Sequence, residues 1–256
     1  MVSIEEFLTD EFKTRSMGLV CDFTEKIDKV YTAVFPTKEV MQKVLSKKSQ
    51  NSMLFVHHPS AWDITKPGAF YQMDKTLLQK FKDQNISIYN LHVPLDNYGE
   101  FSTSVAFANA LGIKPEKPFG KYFGALCGVF GKAEESSIQG LREKFEKAVG
   151  HKVSLYKYGD EEIKNKKVAV VAGGGNMVEV LEELLSENVN TMLTGITVKN
   201  EISRAAHEFA QQKKISLLGG THYSTEKFAC IALKEYFKKQ RLACEFVEDN
   251  PMLEDL

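Results

Sequence analysis

The sequence of 256 residues lacks several features that would assign it to a class at once. Its four cysteines form no C-x-x-C pair, which argues against a zinc ribbon and against a dithiol redox site. A net charge of −1 provides no basic field for a phosphate backbone, so we expect no nucleic-acid partner. No apolar run approaches the roughly 18 residues of a membrane span, and the first residues do not resemble a secretion signal. We therefore expect a cytoplasmic protein, away from membranes, whose partners are small molecules.

The glycine run at residues 172–176 (AGGGN) also lacks the marks of a nucleotide-binding loop. Neither Gly-Lys-Ser/Thr nor G-x-G-x-x-G occurs there. Backbone N–H groups where this strand meets a helix could face an anion. Close packing of the strand against the helix explains three glycines equally well, and we slightly prefer that interpretation.

What the chain does contain is an alternation of short β-rich runs with longer helical patterns. With 43% hydrophobic residues it can bury a sizeable core. Such alternation predicts an α/β fold, with a mainly parallel sheet and crossover helices. The predicted strands are 30–35, 53–56, 86–91, 168–172, 191–194, 215–218 and 243–247. The predicted helices are 37–46, with Thr37 as N-cap, 74–83, 101–111, a helix ending near 187, 201–213 and 222–240.

Residues 114–166 have a different character from their flanks. Two prolines open the stretch, and glycines then interrupt an aromatic, strand-like run. A helix near 136–149 and a strand at 151–158 complete a smaller α/β unit, which the charged stretch 160–167 links to the following strand as a solvated connector. We therefore predict a discontinuous larger domain, residues 1–115 and 167–256, with an inserted unit at 116–166.

Histidines and acids are concentrated just after the predicted strands. His57 and His58 follow one strand, Asp96 follows the next, and His222 follows the strand that ends in Gly-Gly-Thr. On a helix that begins at His222, Glu226 shares a face with this histidine. The same face continues as an apolar stripe, which consists of Ala229, Ala232, Leu233, Tyr236 and Phe237. This stripe carries Glu226 into the interior, where an unpaired carboxylate is costly and needs a cation.

Open parallel sheets bind ligands at the carboxyl ends of their strands, so these remote segments are expected to converge. Adjacent histidines point in different directions and suit two neighbouring ions better than one. Five ligands for two ions leave positions for water, as in a reactive site. The mixed donors fit zinc, iron, manganese or cobalt. His92 is a candidate proton shuttle or second-sphere partner. Taken singly, each motif also fits an ordinary surface pair or polar helix contact.

The ordered set Val56-His57-His58, Leu91-His92-x-x-Leu95-Asp96 and Gly-x-His222-Tyr223-x-Thr225-Glu226 resembles the Nif-three-like dinuclear metal family, whose members are also called type-two GTP cyclohydrolase I homologues. The resemblance extends to residues 105–113, 168–175 and 193–195, and so to nearly the whole chain. Two residues depart from the family pattern: Pro59 stands where some members have a small or apolar residue, and Ile196 stands where an acidic residue is usual. Neither departure changes a metal-ligand position.

This resemblance implies that the metal ligands are His57, His58, Asp96, His222 and Glu226. It also implies a short-form member with two interlocking α/β domains, assembled as a toroidal homohexamer whose metal sites face an internal cavity. Two adjacent divalent ions would activate water, so the first hypothesis is a metal-dependent hydrolase that acts on a nucleotide or related heterocycle. The alternative is a non-catalytic metal chaperone or regulatory scaffold, which would use the same ligands.

Overall fold

The computed structural model describes residues 4–63, 69–71 and 73–256, and at 61–63 and 69–71 it describes the backbone alone. The chain divides into two compact units. The first comprises the described residues up to Pro94 together with Cys230–Asn250, and the second comprises Leu95–Ala229 together with Pro251–Leu256. These boundaries differ from the predicted division at 116–166, because strands on both sides of residue 166 pair into one sheet.

The first unit is built around a mainly parallel sheet. Its elements are α1 (Asp10–Arg15), β1 (Gly18–Cys21), β2 (Lys29–Ala33), α2 (Lys38–Ser46), β3 (Ser52–Val56), β4 (Ala61–Asp63), β5 (Ala69–Tyr71), α3 (Lys75–Asp83), β6 (Ile86–Asn90) and β13 (Ala243–Phe246). The sheet order is β1-β6-β3-β2-β13, in which only β1 runs antiparallel to its neighbour. Here the predicted parallel arrangement is confirmed.

Helix α2 shows how local sequence sets an element of this unit. The hydroxyl of Thr37 accepts a hydrogen bond from the backbone N–H of Val40 at 3.2 Å, which is the predicted N-cap. Val40, Met41 and Val44 then fall on one face and are buried in the core. The cap and the apolar spacing together fix where the helix begins and which face it buries.

The second unit contains α5 (Thr103–Ala110), β7 (Lys114–Tyr122), β8 (Ala125–Lys132), α6 (Ile138–Val149), β9 (Ser154–Tyr156), β10 (Lys167–Val171), α7 (Val178–Ser186), β11 (Thr191–Thr194), α8 (Arg204–Lys213) and β12 (Ser216–Gly219). Its sheet order is β7-β8-β10-β11-β12-β9. Only β10, β11 and β12 are parallel, so this sheet is mixed and the expectation of a mainly parallel sheet is wrong here. The β7–β8 hairpin supplies the antiparallel pairs at one edge.

Successive residues of this mixed sheet face opposite sides, as the pleat requires. Val168 and Val170 of β10 pack into one core cluster with α5 and α6, whereas Ala169 and Val171 pack into another with α7 and α8. The sheet is therefore covered on both faces, which leaves its strand ends as the place for polar side chains.

Two helices include the points where the chain passes between units: α4 (Val93–Asp96) and α9 (His222–Lys239). Among the helices of the described residues, none has both the length and the apolar character needed to cross a bilayer.

Candidate metal site

In the first unit, the predicted histidines lie at one edge of the sheet. Strand β3 ends at Val56 and is followed at once by His57 and His58, and β6 ends at Asn90, two residues before His92. The two strands are parallel neighbours, with Val56 opposite Asn90. All three histidines therefore emerge at the carboxyl end of the same sheet, where open α/β sheets bind ligands.

The three imidazoles form a compact group. The ring centroids are 4.3 Å apart for His57 and His58, 5.1 Å for His57 and His92, and 4.5 Å for His58 and His92. Each ring offers a nitrogen within 4.8 Å of those of the other two. His57 is fully buried and His58 nearly so, while His92 is half-buried. Such a donor set suits zinc, iron and other transition metals.

Hydrogen bonding orients the first of these rings. Nδ1 of His57 lies 3.0 Å from the carbonyl oxygen of Leu91, and since a carbonyl only accepts, Nδ1 carries the proton and the lone pair lies on Nε2. Asn90 donates from Nδ2 to the His57 carbonyl at 2.5 Å, which fixes the backbone beneath the ring. Phe35 stacks on His58, with centroids 4.8 Å apart and an interplanar angle of 19°.

In the second unit, His222 and Glu226 meet as the helical spacing predicts. Helix α9 begins at His222, and Nε2 of this residue lies 3.0 Å from Oε1 of Glu226. Both side chains are buried. Two donors on one tetrahedral ion, each at about 2.0–2.1 Å, stand about 3.3 Å apart, so this pair is spaced to share an ion.

The apolar stripe that carries Glu226 inward is confirmed for most of its members. Ala229, Leu233 and Phe237 are buried, and Ala232 is partly buried. Tyr236 is 42% exposed, so its assignment to the stripe was wrong. A tyrosine at the margin of a helical stripe tolerates exposure because its hydroxyl is satisfied by water.

Asp96 adds a second buried carboxylate to this unit. Its Oδ1 accepts a hydrogen bond from the Thr103 hydroxyl at 2.8 Å, and a carboxylate oxygen of Asp96 lies within 4.8 Å of one of Glu226. Two buried carboxylates this close repel each other and are both desolvated. A bound cation would remove both costs, so the donor set fits a metal ion.

Groups around these carboxylates respond to the same negative field. Burial, and after it the charge of Asp96, raise the pKa of the Cys127 thiol to about 12. Burial, followed by Asp96, also raises the pKa of the Tyr122 phenol. Burial raises the pKa of Asp255 to about 6, and Glu226 contributes to the increase. The thiol and the phenol therefore stay neutral, and the local field favours cations.

Close-packed glycines hold this part of the second unit together, and reasoning from the sequence did not connect them with the predicted ligands. The N–H of Gly173 donates to the Thr225 hydroxyl at 3.0 Å, and the N–H of Gly195 donates to the Gly173 carbonyl at 2.7 Å. A Cβ atom on Gly173 would overlap Oε1 of Glu226, and one on Gly175 would overlap the Val171 side chain. The geometry thus supports close packing as the role of these two glycines.

Comparisons with known proteins identify the family of this chain. A family model described as Duf34/NIF3 (NGG1p interacting factor 3) matches residues 7–251. A protein of Pyrococcus abyssi named GTP cyclohydrolase 1 type 2 homolog is 30% identical over 229 residues, covering 88% of this chain and 85% of the relative. A protein of the same name from Borreliella burgdorferi is 30% identical over 236 residues, covering 91% and 88%.

Solved structures show the same fold at lower identity. TTHA1606 from Thermus thermophilus superposes with a TM-score of 0.70 at 19% identity, covering 95% of this chain and 93% of that one. Reduced HcgD from Methanocaldococcus jannaschii gives 0.67 at 22% identity, covering 96% and 95%.

Proposed function

Because the chain belongs to the Duf34/NIF3 family, we propose that it holds two adjacent divalent metal ions and hydrolyses a nucleotide or related heterocycle with them. The proposed ligands are His57, His58, Asp96, His222 and Glu226. The observation that carries the proposal is the pairing of His222 with Glu226, close to a second buried carboxylate.

The chemistry follows from the donor set. When bound, paired divalent ions supply an activated water at neutral pH and polarise the electrophile beside it. His57 presents Nε2 because Leu91 fixes its tautomer. Asp96 is held by Thr103, and Glu226 by its place on the first turns of α9. These residues orient the ligands before any ion arrives, which lowers the cost of binding.

His92 is the proposed carrier of a proton. Its half-buried ring lies beside those of His57 and His58, and one of its nitrogens is near theirs. An imidazole titrates near neutral pH, so a ring that reaches both the site and solvent can transfer a proton in either direction.

The substrate class rests on the names of relatives. Several curated relatives are named GTP cyclohydrolase 1 type 2 homolog, which points to a purine nucleotide or a similar ring as the first substrates to test. The homohexameric ring, which the family resemblance implies, and the cytoplasmic location, which the sequence predicts, are part of the same proposal.

The test compares metal content and turnover in three proteins purified without chelators. Wild type is expected to retain close to two ions per chain and to hydrolyse a member of a nucleotide and heterocycle panel. Glu226→Gln is expected to lose both metal and turnover. Glu235→Gln changes an exposed residue of the same helix and is the matched control.

Three outcomes are informative. Full activity in metal-free protein would refute the proposal. Metal retained by Glu226→Gln at the wild-type level would remove this residue from the ligand set. Bound metal that exchanges rapidly, without turnover of any compound in the panel, would favour the chaperone or scaffold instead.

A further inference from the structure

Asp255 lies directly behind the first residue of α9. It belongs to a single 3-10 turn, Leu253–Asp255, and the residue is 1% exposed. Its Oδ2 accepts a hydrogen bond from the backbone N–H of His222 at 2.7 Å. Thirty-three positions separate the two residues along the chain, and none of the metal-ligand motifs includes Asp255.

The position of Asp255 is set independently of His222. Its carbonyl oxygen accepts hydrogen bonds from the backbone N–H groups of Thr197 and Val198, at 2.8 and 2.9 Å. The Thr197 carbonyl in turn accepts a hydrogen bond at 2.8 Å from Nε2 of His207, a buried residue of α8. Asp255 is therefore fixed through its backbone carbonyl by Thr197 and Val198, and its carboxylate in turn fixes the backbone of His222.

Two further features suit a carboxylate at this place. The first N–H groups of a helix lack intrahelical partners, and negative charge near them is favourable; α9, at 18 residues, offers a full helix dipole. In addition, among the described residues Oδ1 of Asp255 has no hydrogen-bond partner although it is buried. Burying this carboxylate beside His222 costs free energy, and an uncharged side chain that capped the helix would avoid that cost.

We propose that Asp255 is a positioning residue of the metal centre: it fixes the backbone of His222 and places negative charge behind that ligand, so that metal binding by His222 and Glu226 depends on it. The inference rests on the proposed function. Asp255 itself is not a ligand, because in the part of the chain that the structure describes its oxygens join none of the groups close enough to share an ion.

The experiment measures Zn²⁺ affinity, by competition with a chromophoric chelator, in metal-stripped wild type, Asp255→Ala, Asp255→Asn and Glu254→Gln. Second-sphere partners of metal ligands typically contribute 10- to 100-fold in affinity, so Asp255→Ala is expected to bind about 10- to 100-fold more weakly. Asp255→Asn keeps an acceptor for the His222 N–H but removes the charge, so we expect a smaller decrease in Zn²⁺ affinity than for Asp255→Ala. Glu254→Gln alters the exposed neighbour and is expected to match wild type.

Thermal unfolding with and without Zn²⁺ separates positioning from a merely structural role. A structural role would lower the Tm equally in both conditions, whereas positioning reduces the gain in Tm on adding Zn²⁺. The Co²⁺ absorption spectrum is expected to shift in Asp255→Asn, because the geometry around His222 changes.

Folded Asp255→Ala that binds Zn²⁺ as tightly as wild type would overturn the inference and leave the proposed function intact. If Asp255→Ala fails to fold, Asp255→Asn decides: weakened binding supports the inference, and wild-type affinity overturns it. Wild type that binds no Zn²⁺, Mn²⁺ or Fe²⁺ would defeat the proposed function, and this inference with it.

Discussion

Gly173 lies directly against the carboxylate of Glu226, so closely that a Cβ atom at position 173 would overlap Oε1. The same atom would stand 3.1 Å from Nε2 of His222. The backbone at Gly173 has φ = +70°, a conformation that side chains rarely adopt. This glycine is therefore required by the His222–Glu226 pair, and its effect on function should appear in metal binding.

Substitution of Gly173 by alanine is expected to displace Glu226 and weaken metal binding. Overlap with a buried carboxylate and the positive φ together predict a loss of about 1–3 kcal/mol in the free energy of unfolding. Metal content after chelator-free purification and the midpoint of urea unfolding are the two measurements.

Gly174→Ala is the matched control for this prediction. The nearest atom to a Cβ there is Cδ1 of Ile196 at 3.6 Å, an ordinary contact. Equal metal content in the two variants would mean that the approach of Gly173 to Glu226 has no part in binding.

Thr103 is expected to orient the carboxylate of Asp96, a proposed metal ligand. Thr103→Val removes the hydroxyl that donates to Oδ1 and keeps the shape of the side chain, so the carboxylate loses its orientation. We expect Zn²⁺ affinity to fall about tenfold, the lower end of second-sphere effects. Thr103→Ser retains the donor and should bind nearly as wild type does. Equal affinity in the valine and serine variants would contradict the prediction.

Replacement of His92 distinguishes a ligand from a proton carrier. If His92 moves a proton, His92→Ala should retain its metal and lose about 100-fold in turnover, the lower range for general acid–base catalysis. An added imidazole buffer should restore part of the rate, and the pH profile should lose one limb. A fall in metal content would instead make His92 a third imidazole ligand of the group it forms with His57 and His58.

The sequence predicted those parts of the fold that depend on interactions between residues close together in the chain. Spacing and residue type predicted the Thr37 cap, the buried face of α2 and strand β11 at Thr191–Thr194. The His222–Glu226 pair was predictable for the same reason, because an i, i+4 pair on a helix has a fixed geometry.

Pairings between remote segments could not be predicted from the sequence. Nothing in the composition of β7 and β8 shows that their hairpin joins β10 antiparallel, since strand partners are selected by tertiary packing. The sequence analysis did not predict a role for Asp255 for a related reason. An aspartate that follows a glutamate forms no motif, and the proposed role of Asp255 becomes visible only from its contacts with Thr197 and His222. The glycine run did contain a signal, but its close contact with Glu226 became evident only in three dimensions.

His207 predicts an acid-dependent loss of stability. The ring is buried, with Nδ1 2.9 Å from the Tyr158 hydroxyl and Nε2 2.8 Å from the Thr197 carbonyl. Burial lowers the pKa of His207; the hydrogen bond to Thr197 opposes this effect and the charge of Lys199 adds to it. Because the folded pKa lies below the unfolded value of about 6.5, the unfolded chain binds more protons between the two. Stability is complete above about pH 6.5 and declines as the pH falls through the folded pKa.

The measurement is the Tm of wild type and His207→Gln between pH 7.5 and pH 5, in chelator so that metal release does not contribute. As the pH falls over this range, the Tm of wild type should decrease more than that of His207→Gln, because the glutamine amide does not titrate. Parallel curves for wild type and His207→Gln would show that the buried ring does not set this pH dependence. Because His207 supports Thr197, which in turn holds Asp255, His207→Gln in buffer with Zn²⁺ should also show a smaller gain in Tm than wild type.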